Sequence, residues 1–373
     1  SPLVPVYDQN APSGYGLPDH DGLPSNRNVL ADNEFRKAEG KTYNIDANVS
    51  ITAHLAEWLT FKTAYSYRGE NYRYARHMPA YVADIKQKQD YPTQYEKSYY
   101  WEEQTIDNVL NFDKTFGSHS LNVMAGSSIQ LYDYTWNEVQ VEGKNTVYEV
   151  KDGKLVTNEV SAGFLDQNFA TIGAGKGGTY SGDGSISKYR RASFFGRVNY
   201  SYAGRYMIQA TVRADGSSKF SKDNRWGTFP SVAVGWRISE EEFFPKESVI
   251  SNLKLRASWG RLGNEMALKY YDFLTLITTD NTMNQGSVQG SGSSPWPGSI
   301  ANGLSERNLK WETTDTKNIG LYYGLFNGRL SGAINYYYNK TEDMLITKKL
   351  PLSVGLQNPT LNVGKIRNAG FEL

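Results

Sequence analysis

Residues 213–239 read RADGSSKFSKDNRWGTFPSVAVGWRIS and decide the fold, because they join two strands of alternating character through a polar loop. Apolar residues occupy every second position on both sides of that loop, at Tyr206, Ile208, Ala210, Val212 and Ala214 and again at Val232, Val234, Trp236 and Ile238. Polar residues such as Gln209 and Arg213 fill the positions between them. Alternation with a period of two is typical of a strand whose two faces meet different solvents. The stretch therefore predicts a β-hairpin with one apolar face and one polar face, connected by loop 215–227.

The same alternation recurs along most of the chain and predicts about eleven strands. They lie near 42–53, 59–68, 100–112, 121–131, 192–202, 206–215, 232–238, 253–259, 319–323, 330–338 and 364–373. Residues 1–41 are rich in Pro, Gly, Asp and Asn and show no periodicity, so they are predicted to form an irregular loop.

The connections between these strands alternate between short and long. Short turns are predicted near 56, 117, 204 and 327, with 239–252 as a longer fifth connection that has room for one helical turn. The strongest hairpin signal is Asn327-Gly328, because both residues tolerate the positive φ angles of a type I′ turn. The long connections lie near 75–97, 135–188, 215–227, 262–312 and 341–362. Short turns at one end and long loops at the other are typical of outer-membrane barrels, whose turns are periplasmic and whose loops are extracellular.

Side chains on the two faces agree with this interpretation. Aromatic residues form two levels, as expected for girdles at two membrane interfaces. Those near the short turns are Trp58, Tyr202, Tyr206, Trp236 and Phe326, and those near the long loops are Tyr67, Tyr100, Trp101, Tyr132 and Trp259. The polar face is predicted to line a water-filled lumen and carries Asp46, Asn48, Lys62, Arg68, Asp107, Arg197, Asn199, Arg213, Arg237, Arg256, Lys317 and Asn335. The predicted fold class is an all-β, antiparallel transmembrane β-barrel wall.

Composition excludes several other classes of protein. The 373 residues have a mean hydropathy of −0.58 and contain no apolar run of the roughly 20 residues that a transmembrane helix needs. A formal charge of +1 without a basic stripe argues against a nucleic-acid surface. The absence of Cys excludes disulfides and thiolate metal sites. Because the sequence starts without Met and stops within a predicted strand, it is expected to be a mid-barrel portion of a longer polypeptide.

Several strands also contain recognisable sequence motifs. The quoted stretch contains RADGSSKF, NRWG, FPS and GWR, and further segments read LKLRASWG at 253–260, LKWE at 309–312, NIGL at 318–321, NGRLSG at 327–332, YYYNKT at 336–341 and NAGFEL at 368–373. These motifs, and the order in which they occur from about residue 190 onwards, resemble those of the SusC/RagA family of TonB-dependent outer-membrane transporters. The first 190 residues resemble that family only in their strand pattern.

The resemblance implies a bacterial outer-membrane importer of oligosaccharides, other glycans or peptides. It implies a 22-stranded barrel plugged by an N-terminal domain, a SusD-like surface lipoprotein as a lid, and energy from TonB–ExbB–ExbD through the plug region. This sequence departs from the pattern, because it has about eleven strands and neither a plug nor a TonB box. Accordingly, 1–41 is predicted to be an irregular extracellular loop and 42–373 a partial barrel without the plug and the remaining strands.

No motif indicates catalysis or a cofactor. The four His residues are isolated, and Gly173–Gly178 lacks the spacing of a phosphate-binding loop. Asp215, Asp223 and Asn224 could coordinate Ca²⁺, but they lack EF-hand spacing, and Asp215-Gly216 is more typical of a turn. The protein is therefore predicted to be a non-enzyme without cofactor or metal.

Substrate contacts are expected from residues in or beside the long loops. The candidates are Tyr134, Trp136, Arg225, Trp226 and Trp296. Aromatic faces stack on the apolar faces of sugars and also accept peptide side chains. Each of these residues could instead belong to a girdle or pack loop against loop. A soluble β-rich carbohydrate-binding protein is the alternative to the transporter, and it would remain in solution without detergent.

Overall fold

The computed structural model describes residues 7, 9, 14–15, 28–82, 88–151, 154–161, 171–175, 177–245, 248–275, 277–280, 298–301, 303–304 and 306–373. These residues form one short α-helix, α1 (Val29–Phe35), four 3₁₀ turns (Ile172–Ala174, Lys222–Asn224, Ile238–Glu240 and Leu352–Val354) and a series of strands. The strands are β1 (Lys37–Ala56), β2 (Leu59–Met78), β3 (Tyr81–Val82), β4 (Lys88–Gln89), β5 (Thr93–Phe116), β6 (His119–Glu142), β7 (Lys144–Lys151), β8 (Lys154–Ser161), β9 (Thr179–Tyr202), β10 (Tyr206–Ser217), β11 (Trp226–Arg237), β12 (Ile250–Asn264), β13 (Ile277–Asp280), β14 (Gly298–Ala301), β15 (Glu312–Leu325), β16 (Leu330–Glu342), β17 (Leu345–Thr347), β18 (Thr360–Asn362) and β19 (Lys365–Glu372).

Eleven of these strands form one sheet, which confirms the number predicted from alternation. Their order is β1-β2-β5-β6-β9-β10-β11-β12-β15-β16-β19, so neighbours in the sheet are also neighbours along the chain. Within the described residues, β1 and β19 each have one partner, and the sheet is open at these two strands. The remaining short strands form hairpins inside the predicted long connections, as β3–β4, β7–β8, β13–β14 and β17–β18.

The hairpin β10–β11 shows the predicted separation of faces. Ile208 pairs with Val234, and these side chains are 44% and 47% exposed on the apolar face. On the other face, Arg213 pairs with Phe229, and Phe229 is buried. A sheet whose apolar side chains are exposed while most of the opposite face is half-buried is the reverse of a soluble sandwich, and it fits a wall in lipid.

Several strands are much longer than a membrane requires. A barrel strand crosses the hydrocarbon core with roughly 9–11 residues. Strands β5, β6 and β9 have 24 residues each, and β2 has 20. Counted from the short turns, the outer half of each strand therefore extends beyond the membrane-spanning segment.

The chain divides into two compact units. The first contains residues 1–46, 67–103 and 133–187 and includes α1 and the hairpins β3–β4 and β7–β8. The second contains residues 47–66, 104–132 and 188–373. A hydrophobic cluster in the second unit joins side chains of three long connections to the strand ends, namely Phe220, Phe229, Leu268, Leu309, Trp311 and Leu345.

The structure corrects the predicted irregularity of residues 1–41. Helix α1 lies in this segment, and Asn28 caps it by accepting hydrogen bonds from Leu30 N (3.1 Å) and Ala31 N (3.3 Å). Phe35 at its end stacks on Tyr81 with 4.4 Å between ring centroids. Side-chain capping and packing against a distant residue leave no periodic pattern in the sequence. A helix of seven residues is also too short to show helical periodicity.

The turn at Asn327-Gly328 has the predicted positive φ angles, but it is longer than a two-residue type I′ turn. Leu325 pairs with Leu330, which leaves a four-residue loop in which Phe326 also has positive φ, at 54°. The amide of Phe326 donates to Val249 O at 2.8 Å, a contact outside the hairpin. That contact holds Phe326, one of the two residues by which the loop exceeds a type I′ turn, and it is not predictable from the dipeptide.

Three side chains lie on the face opposite to the predicted one. Trp101 contacts Arg68 on the polar face, with the guanidinium carbon 6.0 Å from the ring centroid, and Tyr132 packs against Tyr270 of a long connection. Lys317 pairs with Trp259 and is therefore on the apolar face. All three lie toward the long-loop ends of their strands, where water and loops replace lipid and alternation no longer distinguishes the faces.

No helix among the described residues is long and apolar enough to cross a membrane.

Candidate binding surface

A row of aromatic rings occupies the polar face of β2, β5 and β6 in the first unit. We call Tyr72, Tyr74, Tyr95, Tyr99 and Tyr134 the tyrosine ladder. The rings of Tyr72 and Tyr99 stack with centroids 4.7 Å apart, and Tyr99 and Tyr134 are 6.0 Å apart. Tyr74 contacts Tyr72 at 6.5 Å and Tyr95 at 6.0 Å. Because each residue of the ladder is only half-buried, part of its ring stays accessible.

The strand register explains why these rings come together. Tyr72 and Tyr74 follow Arg68 at even positions of β2, which face away from the apolar side chains. Tyr95 and Tyr99 are at odd positions of β5, opposite in direction to the exposed Tyr100. Since the strands extend beyond the membrane-spanning length, both faces meet water here, and half-buried aromatic side chains are tolerated.

Charged groups lie beside the tyrosine ladder, next to Trp136. Glu138 accepts hydrogen bonds from the hydroxyl of Tyr95 (2.7 Å) and from Lys97 Nζ (3.2 Å), and this Nζ lies 4.9 Å from the ring centroid of Trp136. Burial and the hydrogen bond to Glu138 raise the pKa of Tyr95 to about 12. The same bond, together with Lys97, lowers the pKa of the Glu138 carboxyl below its usual value. Glu138 is therefore ionised near neutral pH and fixes two of its neighbours.

A second carboxylate fixes the centre of the ladder. The hydroxyl of Tyr99 donates to Glu70, and this hydrogen bond raises the pKa of Tyr99 to about 12. Arg76 lies over Tyr95, with 5.2 Å between the guanidinium carbon and the ring centroid. The result is a set of adjacent rings in which carboxylates orient the hydroxyl groups of Tyr95 and Tyr99. Such a surface can stack on an apolar ligand face while its polar groups bind hydroxyl or amide groups.

The predicted contact residues do not form one site. Tyr134 and Trp136 belong to the surface just described. Arg225 has an exposed side chain, and its carbonyl accepts hydrogen bonds from Trp311 Nε1 (3.2 Å) and Ser217 N (3.1 Å). Trp226 lies on the apolar face, where its ring stacks on Phe194 at 6.0 Å. Trp296 is outside the described residues.

Loop 215–227 is held by its own first residue. Asp215 is 2% exposed and accepts hydrogen bonds from Arg213 Nε (2.8 and 2.9 Å) and from the hydroxyl of Ser193. Arg191 Nη2 is 3.4 Å from the same carboxylate. These partners occupy the side chain that is a candidate ligand for Ca²⁺. No group of three or more metal-ligating side chains occurs among the residues described here.

Most of the ladder is not among the contact residues predicted from the sequence. Tyr72, Tyr74, Tyr95 and Tyr99 fall in or next to segment 75–97, which the sequence predicts to be a polar connection. A signal is nevertheless present, because Tyr72, Tyr74 and Arg76 alternate with Asn71, Arg73 and Ala75 in direct continuation of β2. Alternation of aromatic with polar residues, rather than of aliphatic with polar residues, marks the part of a strand that leaves the membrane.

Comparison with known sequences places this arrangement in a family. Residues 3–373 match the family described as TonB dependent receptor-like, beta-barrel. The chain belongs to this family. The predicted recognition, the all-β barrel fold and the outer-membrane location are thereby confirmed.

Individual relatives agree with the assignment. The chain is 44% identical to the TonB-dependent receptor SusC of Bacteroides thetaiotaomicron over 181 residues, 48% of this chain and 18% of SusC. It is 30% identical to the TonB-dependent receptor P3 of Formosa agariphila over 345 residues, 92% of this chain and 31% of that receptor. Among solved structures, the structure of the RagAB peptide transporter is similar over 96% of this chain and 37% of the RagAB chain. The TM-score is 0.79 and the sequence identity is 22%. The likeness to RagAB concerns the fold.

The chain spans 18–31% of the length of these two curated relatives. Most of their sequence has no counterpart in the chain.

Proposed function

We propose that this chain forms a wall of a SusC-type importer that moves oligosaccharides across the outer membrane. The tyrosine ladder is the observation that carries this proposal. It places a series of rigid, hydroxyl-bearing rings on the face that does not meet lipid. Sugars present an apolar ring face and a rim of hydroxyl groups, and both fit this surface.

Direct binding tests the substrate class. We expect the purified protein in detergent to bind members of an oligosaccharide panel in calorimetric titrations, and to bind them about tenfold more weakly after Trp136→Ala, a loss of about 1.4 kcal/mol. The matched control is Trp226→Ala, which removes the same side chain from the apolar face. Equal affinities of wild type and Trp136→Ala, or binding confined to a peptide pool, would overturn the oligosaccharide proposal.

The assembly is part of the proposal. A SusD-like lipoprotein would form an extracellular lid, and energy would come from TonB–ExbB–ExbD through a plug region. The similarity to the TonB-dependent receptor SusC supports the dependence on TonB. Affinity purification from the native outer membrane should recover a surface lipoprotein in stoichiometric amount.

Collapsing the proton-motive force with a protonophore should stop uptake of the bound sugar while leaving its binding unchanged. In this role the chain binds and conducts its substrate without catalysing a reaction.

A further inference from the structure

The apolar face of β12, β15, β16 and β19 ends in a row of charged side chains. Paired residues of antiparallel strands lie on the same face, so the register defines rows that cross all four strands. One such row is apolar and reads Ala257, Ile319, Tyr336 and Phe371. The next row toward the long loops reads Trp259, Lys317, Tyr338 and Ala369. The row after that, which we call the charged row, reads Arg261, Asp315, Lys340 and Arg367.

The charged row lies where the membrane-spanning part of these strands ends. Counted from the short turn between β15 and β16, Asp315 and Lys340 are each the eleventh residue of their strand. A barrel strand crosses the hydrocarbon core with roughly 9–11 residues. Trp259 and Tyr338 in the row below are the aromatic residues expected at a membrane interface. The charged row is therefore level with the lipid headgroups of the extracellular leaflet.

Basic residues outnumber acidic ones at this level of the apolar face. The charged row and the rows on either side of it contain five basic and two acidic residues, namely Arg261, Lys317, Lys340, Lys365 and Arg367 against Asp315 and Glu342. Arg261 holds Asp315 through two hydrogen bonds, at 2.9 and 3.0 Å. Lys340 and Lys365 share the other carboxylate, each with its Nζ 2.8 Å from Glu342 Oε1. The two carboxylates are thus fully occupied by these three cations.

The remaining cations, Lys317 and Arg367, have no ion pair within the part of the chain that the structure describes. Both side chains are exposed. Arg367 is paired directly with Lys340, and like charges opposite each other destabilise a pair of strands. Lys317 lies in the same row as Trp259, on the face that meets lipid. An anion held between these cations would offset the repulsion among them.

The position of these cations favours a lipid over a dissolved ion. Ile319 and Phe371, in the apolar row below, have exposed side chains that acyl chains can cover. The long stems of Lys and Arg lie along apolar surface while their charged ends reach the headgroup level. Ammonium and guanidinium groups both bind phosphate oxygens through charge-assisted hydrogen bonds. A lipid with a phosphate headgroup therefore matches the apolar rows and the cations at the same time.

We propose that Lys317, Lys340 and Arg367 bind the phosphate group of a lipid in the extracellular leaflet, whose acyl chains lie along the apolar rows. No residue of the tyrosine ladder takes part. The proposal therefore does not depend on the substrate that the importer moves.

The first experiment measures the thermal unfolding midpoint of the protein, purified from the outer membrane in a non-ionic detergent, during titration with diphosphoryl lipid A. We expect this phosphorylated glycolipid to raise the midpoint, because it binds the folded protein. Lipid A with its phosphates removed and inorganic phosphate should each have no effect. An equal rise with the dephosphorylated lipid would assign binding to the acyl chains alone, and a rise with inorganic phosphate would assign it to a free anion. Either result would overturn the proposal.

Substitutions then test the named cations. Lys317→Gln and Arg367→Gln should each weaken the apparent affinity for diphosphoryl lipid A about fivefold, and together about 25-fold. Lys317→Arg keeps the charge and should bind like wild type. The matched control is Lys114→Gln, because Lys114 lies on the apolar side of β5 near the short turn at Gly117, with its Nζ 5.8 Å from the ring centroid of Trp58. This control should bind like wild type.

The lipid-free protein separates binding from a structural role. Because Arg367 faces Lys340, Arg367→Gln should leave the lipid-free midpoint unchanged or raise it. Binding of diphosphoryl lipid A should weaken in about 1 M NaCl, where the Debye length is roughly 3 Å. A lower lipid-free midpoint of Arg367→Gln, or wild-type affinity of the double variant, would contradict the proposed lipid site.

Discussion

At the scale of single residues, Asp215 holds loop 215–227, which lies within the sequence motif 213–239. Its carboxylate is almost completely buried between Arg213, Arg191 and Ser193. The side chains of Arg213 and Arg191 are themselves 39% and 34% exposed, so removing the carboxylate costs less than breaking a fully buried ion pair, about 1–3 kcal/mol. Asp215→Asn should therefore lower the free energy of unfolding in a urea titration by this order. Asp223→Asn, at an exposed position of the same loop, should change it little, and equal effects would contradict the role given to Asp215.

Glu138 predicts a pH dependence of the tyrosine ladder. Its pKa is lowered in the folded protein by Tyr95 and Lys97. A lowered carboxyl pKa means that the stabilisation is fully present above the ordinary Glu value of about 4.3 and is lost as the pH falls through the folded value. The fluorescence of Trp136, taken as the difference between wild type and Trp136→Phe, should change in this acidic window. The change should be missing in Glu138→Gln, and its persistence there would assign the transition to another group.

At the scale of elements, the long connections are anchored rather than free. Phe220 of loop 215–227 is completely buried and lies 4.9 Å from Trp311, ring centroid to centroid. Removing a buried Phe side chain costs about 3–5 kcal/mol. Phe220→Ala should therefore make this loop sensitive to limited proteolysis while the strands remain protected. A loop that is cleaved equally in wild type and variant would show that the cluster does not hold it.

Two glycines beside Phe229 give a second test at this scale. A Cβ atom on Gly263 would lie 2.1 Å from Phe229 Cζ, and one on Gly227 would lie 2.4 Å from it. Gly263→Ala should lower the thermal midpoint, and Phe229→Leu in the same chain should restore part of the loss because the smaller side chain frees the space. Gly173→Ala is the control, since a Cβ atom at that position would meet no described atom within 4 Å. Additive effects of Gly263→Ala and Phe229→Leu would exclude the clash.

The same elements show how far the sequence can predict the structure. Alternation in segments such as 206–214 and 253–259 is sufficient for the eleven strands, because lipid and water impose opposite preferences on the two faces. It fails for Trp101, Tyr132 and Lys317, which lie toward the long-loop ends of their strands, where no lipid separates the faces. The cap at Asn28 and the contact of Phe326 with Val249 depend on residues that fold next to them, and no local pattern encodes such contacts.

For the whole molecule, we conclude that one face of the sheet lies in lipid and the other lines an aqueous lumen. The absence of Cys makes this testable without background, because single Cys residues can be introduced and spin-labelled along β10. In liposomes, labels at positions 208, 210 and 212 should collide with oxygen, which concentrates in lipid. Labels at 207, 209 and 211 should collide with a water-soluble nickel chelate. This period of two is the predicted result, whereas access of the nickel chelate to all six positions would contradict the membrane-spanning wall.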